Sequence, residues 1–179
     1  MKSEFIPNDM PEELRRKTVA VLKQQLADAL DLAMQAKQAH WNIQGPNFLS
    51  LHELFDQVAA TITELSDVLA ERAAQLGAVV EGTIQAVARD SRLPVYPLDL
   101  RQETDHLRAL ATALALFAAS IRQASKDVDN TGDADTADIM TQVSRGADLL
   151  LWKVASHISE PAEVPREAAS LWPSVVEPC

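Results

Sequence analysis

Five residues between positions 40 and 71 are of the types that hold metal ions: His40, His52, Asp56, Asp67 and Glu71. An α-helix turns about 100° per residue, so His52 and Asp56, four positions apart, lie only about 40° apart on one face. Asp67 and Glu71 form a second pair of the same spacing. Eleven residues separate Asp56 from Asp67, which returns to within about 20° of the same direction. All four therefore point off one side of one helix, next to an apolar stripe of Leu51, Leu54, Val58, Ile62, Leu65 and Leu69. Imidazole with carboxylate suits Fe(II), Mn(II) or Zn(II) rather than a thiol-loving metal. An open, carboxylate-rich set favours redox iron over structural zinc, which prefers a closed cage of Cys or His.

The two pairs cannot share one metal within one chain. Eleven residues rise about 16 Å along the axis, whereas metal–ligand bonds are about 2.0–2.6 Å. A two-fold axis removes the conflict. The pairs are centred on residues 54 and 69, so their midpoint falls at Thr61/Ile62. Crossing the helix antiparallel with its own copy there brings His52 and Asp56 of one chain to Asp67 and Glu71 of the other, twice per dimer. Ala59, Ala60 and Thr61 are small enough for close approach. His40 continues the stripe of the preceding helix, seven residues after Ala33 and four after Ala36, and can face the same helix.

The elements that must position these residues are long helical blocks punctuated by Pro and Gly. The first runs from about Pro11 to Asn42, with Leu22, Leu26, Ala29, Leu30, Ala33 and Ala36 on one face, and stops before Gly45-Pro46. The second runs from about Asn47 to Leu76 and stops at Gly77. Residues 79–100, with Gly82, Pro94 and Pro97, break the rhythm and leave room for a short helix near Ile84–Arg89. The third spans about Arg101–Val128, and the fourth follows an acidic loop at 127–138 and runs to about Ser159. With no strand signal, this is an all-α four-helix bundle. The long connection between helices two and three suits a crossover with up-down-down-up order.

Composition narrows the classes further. The chain has 179 residues, 47% of them hydrophobic, enough for one domain with a real core. The expected division is a helical body at about 11–159, an N-terminal extension at 1–10 and a proline-bearing tail at 160–179. Residues 1–16 contain no apolar leader, and Ala109–Ile121 is too short to span a membrane, so a cytoplasmic protein is expected. The only cysteine, Cys179, is the last residue, which excludes an intramolecular disulfide or a Cys-rich metal site. A net charge of -10 weighs against non-specific DNA binding by the body and is compatible with cationic partners.

The run from Ala36 to Gly77 resembles the signature of the Dps proteins, the ferritin-like DNA-binding proteins from starved cells. The matching elements are His40-Trp41-Asn42, Gly45, Phe48, Leu51-His52, Phe55-Asp56, Asp67 and Ala70-Glu71-Arg72. Asp133–Ile139 and Leu151-Trp152 are similar to the family's last helix, so the resemblance covers about residues 10–160. It implies a ferritin-like bundle and a hollow twelve-subunit shell with ferroxidase sites between two-fold-related subunits. His40, His52 and Asp56 would come from one chain, Asp67 and Glu71 from the other. Asp67, Glu71 and His40 would hold the first iron, and His52 and Asp56 would support the second, partly through water. Trp41 would take up oxidising equivalents beside the site. The implied reaction is oxidation of Fe(II), preferably by hydrogen peroxide, with storage of a ferric oxyhydroxide mineral; other divalent metals can occupy such sites. Asp133, Asp135 and Asp138 are candidates for a three-fold pore that draws in Fe(II), the preferred reading over the plainer one of a helix cap by Asp133 and Asp135.

The alternative function is a nucleoid-binding structural protein. The tails argue against direct DNA binding. Lys2, Arg15, Arg16 and Lys17 are balanced by Glu4, Asp9, Glu12 and Glu13, and residues 160–179 carry one Arg against four Glu. Other signals have plainer readings. Glu103 and His106 form an Glu-x-x-His match, but no second copy exists and it opens a helix, where acidic residues serve the dipole. Met34 and Met140 read as core fillers. His157 reads as a helix C-terminal cation or a surface residue. Arg72 either orders a carboxylate or lies on the surface, and Trp152 and Trp172 are open between packing and assembly.

Overall fold

The computed structural model describes residues 9–158, and every regular element within them is helical. α1 spans Glu12–Asn42, α2 Phe48–Gln75, α3 Ile84–Asp90, α4 Glu103–Asp129 and α5 Ala134–Ala155. The four long helices and the short one in the connection lie where periodicity and Pro/Gly punctuation put them. The expectations for residues 1–8 and for the tail, including Trp172 and Cys179, fall outside the described residues.

Pro11 precedes α1, where its missing N–H costs nothing, and Glu12 and Glu13 follow in the first turn. After α1 the chain turns through Gly45 at φ +140°. This corner is held from α4. The Asn47 backbone N–H donates to Glu103 Oε1 (2.7 Å) and Asn47 Nδ2 donates to Oε2 (3.0 Å). Glu103 therefore fastens the α1–α2 corner to the start of α4, a more specific task than complementing the helix dipole. A Cβ at Gly45 would sit 2.6 Å from Glu103 Oε1. Gly45→Ala is expected to cost about 1–2 kcal/mol through backbone strain and loss of this clasp, read as a lower denaturation midpoint.

Contacts at the helix ends fix the topology. Arg72 near the end of α2 meets Thr136 at the start of α5, and Lys153 near the end of α5 meets Gln57 near the start of α2, so these two run antiparallel. The Asn47–Glu103 clasp sets the starts of α2 and α4 side by side, so those two run parallel. The order is up-down-down-up, as the long connection implied. Gly146 of α5 brings its backbone close to α2; a Cβ there would lie 2.7 Å from Leu65. The core between the helices is filled by Phe55, Phe117, Leu22, Leu32, Leu51, Ile62, Leu69, Leu110, Leu114 and Ile121, all essentially inaccessible.

The crossover climbs along α1 through side chains that apolar periodicity does not reveal. Lys23 pairs with Glu81, Gln24 donates to the Asp90 carbonyl, Asp28 binds Arg92, Ser91 donates to Asp31, and Gln35 donates to the Pro94 carbonyl. Asp28 and Gln35 are thereby buried and satisfied, while the buried Gln25 is satisfied by Ser120 of α4.

Two expectations are corrected. Met34 does not fill the core; it is 57% exposed, about 200° round α1 from Leu32, whereas Met140 is fully buried. α5 stops at Ala155 rather than near Ser159. Ser156 takes the cap and donates its hydroxyl to the Trp152 carbonyl, while His157 and Ile158 donate to carbonyls three residues back, which tightens the end.

Candidate metal centre

His40 sits in the last turn of α1 and His52 in the second turn of α2, and the corner stacks their rings with centroids 3.7 Å apart. Their hydrogen bonds are reciprocal. His40 Nδ1 bonds the His52 carbonyl at 2.8 Å, and His52 Nδ1 bonds the His40 carbonyl at 2.8 Å. A carbonyl only accepts, so both Nδ1 atoms carry a proton, and in the neutral ring that leaves the lone pair on Nε2. This is the arrangement in which a backbone carbonyl fixes the tautomer of a ligating imidazole. The bond from His52 also satisfies a terminal carbonyl of α1. Phe48 lies against His52 with ring centroids 5.0 Å apart. Trp41, one residue from His40, is 60% exposed.

Asp56 lies one turn beyond His52 and is exposed. Lys37 of α1 pairs with its Oδ1 at 2.5 Å. The hydrogen bond and charge of that lysine hold the Asp56 carboxyl below its usual range, so it stays an anion and leaves Oδ2 free of this contact. Lys37 was not singled out from the sequence. Its position three residues before His40, on the same side of α1, was the available signal.

Asp67 and Glu71 are exposed and have no partner among the described residues. Asp67 lies about 16 Å and Glu71 about 22 Å along α2 from Asp56, so a single chain does not bring the five residues together. Among the described residues, no three His, Asp, Glu or Cys side chains cluster in a way that holds a metal. The ligand face is also not the border of the apolar stripe. Val58, Ile62, Leu65 and Leu69 are buried on the inner side of α2, while Asp56, Ala60, Thr63 and Asp67 face outward. Ile62 and Ala59 are thus turned into the chain's own core, and an antiparallel contact centred at this level would run over Ala60 and Thr63.

Arg72 turns away from Glu71. Its Nη2 donates to Asp133 Oδ1 (3.0 Å) and its Nε to Thr136 Oγ1 (2.8 Å). Asp133 caps α5, accepting from the Thr136 N–H and hydroxyl, and is buried. Within one chain Asp133 therefore takes the cap role. Asp135, 86% exposed, lies at the outer limit of an ion pair with Arg72 Nη2 (4.0 Å), and Asp138 is exposed. Trp152 is 66% exposed and stands outside the core of the described residues, and His157 is an exposed residue just past the C-cap. No described helix is long and apolar enough to cross a membrane.

Residues 19–163 match the ferritin-like domain family. The chain is 40% identical over 160 residues to the DNA protection during starvation protein of Agrobacterium fabrum, covering 89% of this chain and 99% of that one. The fold is similar to that of DpsC from Streptomyces coelicolor, with a TM-score of 0.84, 30% identity and coverage of 89% and 94%. It is similar also to Mycobacterium smegmatis Dps, with a TM-score of 0.82, 25% identity and coverage of 88% and 96%. Helix order, crossover and sequence thus agree, and the chain belongs to the Dps family of ferritin-like proteins.

Proposed function

We propose that this protein stores and detoxifies iron, oxidising Fe(II) at sites that each need two chains. The observation that carries the reading is the reciprocal His40–His52 bonding. It prepares two imidazole Nε2 atoms beside an ionised Asp56, and leaves the matching carboxylate pair, Asp67 and Glu71, out of reach on the same outward face. An antiparallel crossing of two α2 helices supplies the missing half at both ends. Trp41, Phe48 and Leu49 leave apolar surface uncovered at this corner, as an interface requires.

In this reading iron is the substrate. Two Fe(II) each give one electron to hydrogen peroxide, yielding two Fe(III) and two hydroxide ions, so no hydroxyl radical escapes. Asp67, Glu71 and His40 bind the first iron, and His52 and Asp56 the second. Trp41 takes up stray oxidising equivalents. Each chain, residues 1–179, folds as one domain. Twelve such chains close a cytoplasmic shell that holds ferric mineral, and Asp135 and Asp138 at the start of α5 attract Fe(II) to a three-fold opening. Protection of DNA then needs no contact with it, in keeping with the balanced N-terminal charges and acidic tail.

The test is anaerobic Fe(II) titration followed by peroxide, read by ferric absorbance, with the assembly sized by light scattering. Two Fe(II) oxidised per peroxide by a particle of many chains is the expected result. An active monomer would overturn the two-chain site.

A further inference from the structure

The proposed site uses none of the groups under the crossover, yet one redox-capable pair is buried there. Tyr96, the only tyrosine of the chain, is nearly inaccessible, and its hydroxyl lies 2.7 Å from His106 Nδ1. The rings lie 28° from parallel. His106 is also buried, and its Nε2 has no partner. Counting donors assigns the bond. If Tyr96 donates to Nδ1, one buried group is left unpaired, the Nε2 proton. If His106 donates, both the phenol proton and the Nε2 lone pair are stranded. Tyr96 therefore donates to a neutral imidazole. Burial raises the Tyr96 phenol above its usual range; it lowers His106, against a smaller opposing pull from Asp105. A buried phenol with a neutral imidazole in hydrogen-bond contact with its oxygen is built to lose an electron and a proton together.

Its place in the fold links it to the metal centre. Tyr96 follows Pro94, whose carbonyl is bonded by Gln35, roughly 7.5 Å of helix rise before His40. His106 lies one turn after Glu103, which clasps Asn47 in the corner that joins the His40 end of α1 to the His52 end of α2.

We propose that Tyr96 and His106 form a proton-coupled electron donor that supplies peroxide with its second electron when only one Fe(II) is bound. This rests on the ferroxidase reading above. Fe(II) and Tyr96 each give one electron to H2O2, and the phenol proton moves to His106 Nδ1. The products are Fe(III), a neutral tyrosyl radical, imidazolium and two hydroxide ions. A second Fe(II) then returns the electron and His106 the proton, restoring the pair. Without this loan, one-electron reduction of peroxide by a lone Fe(II) releases hydroxyl radical.

The test uses the assembled protein in two arms. In the first, substoichiometric Fe(II) is mixed with hydrogen peroxide and freeze-quenched, with ferric absorbance followed in parallel. The expected result is a tyrosyl EPR signal that narrows when the protein carries ring-deuterated tyrosine and is lost in Tyr96→Phe, where hydroxyl-radical trapping rises. Because Tyr96 is the only tyrosine, the labelling assigns the signal without any variant. In the second arm, iron-free protein is photo-oxidised by a ruthenium sensitiser with persulfate. Tyr96 radical formation is expected, slowed on the order of 100-fold in His106→Gln. Ferric absorbance without a tyrosyl signal would overturn this inference and leave the ferroxidase reading intact. Absent ferric absorbance would overturn that reading, and the donor role with it. Photo-oxidation indifferent to His106→Gln would overturn the role given to the histidine.

Discussion

Replacing Asp67 and Glu71 together by alanine is expected to slow Fe(II) oxidation by about 100-fold or more, with the fold unchanged. Loss of groups that only orient metal ligands already costs about 10–100-fold in affinity, and here the ligands themselves are removed. Both side chains are exposed and make no hydrogen bond or ion pair among the described residues, so their loss should alter stability by no more than about 0.5 kcal/mol. The measurement is the initial rate of ferric absorbance after peroxide, with thermal unfolding and particle size as controls. Unchanged oxidation in a correctly sized particle would remove these two residues from the site. The single variant Lys37→Ala separates two effects. It should leave oxidation in place, because it removes the cation from Asp56 Oδ1 without removing a ligand.

Asp28→Ala is expected to cost about 3 kcal/mol of stability and to loosen the crossover. Asp28 is buried in the middle of α1 and takes four hydrogen bonds: from Gln24, from the Arg92 backbone N–H, and from Arg92 Nε and Nη2. Alanine leaves the Arg92 N–H without its acceptor and a half-exposed guanidinium without its anion. The expected readouts are a lower denaturation midpoint and faster proteolysis between residues 77 and 102. Asp28→Asn keeps the shape and one acceptor and should recover part of the loss. If Asp28→Ala unfolds like the wild type, Asp28 does not anchor the crossover.

The helices were legible because their apolar spacing is regular and Pro or Gly stands at the ends. α5 overshot in the sequence reading because Ser156 ends it without either. Met34 was misplaced by its residue type, although its phase on α1 already turned it outward. Asp28 and Gln35 gave no signal, since a polar residue on a helix reads as surface until the path of the crossover is known, and Gln25 gave none because its partner is Ser120 of α4. At the candidate metal centre, spacing put the four groups of α2 on one side of that helix but set them beside the apolar stripe, whereas Asp56 and Asp67 lie on the outer face. The tautomer of His40 and His52 depends on two carbonyls meeting across a corner, and Glu103 found its role only once that corner was folded. None of these contacts is encoded by spacing along one helix.

The claim that no chain completes a site alone is tested most directly by mixing two inactive variants, His52→Ala/Asp56→Ala and Asp67→Ala/Glu71→Ala. They are unfolded together, reassembled at equal amounts and assayed for Fe(II) oxidation by peroxide. In a mixed dimer one site combines both defects and the other combines both intact halves, so random assembly should restore about a quarter of the wild-type sites. Each variant reassembled alone should stay inactive. Recovery near that fraction is the predicted result; a mixture as inactive as its components, in particles of native size, would contradict a site shared between chains.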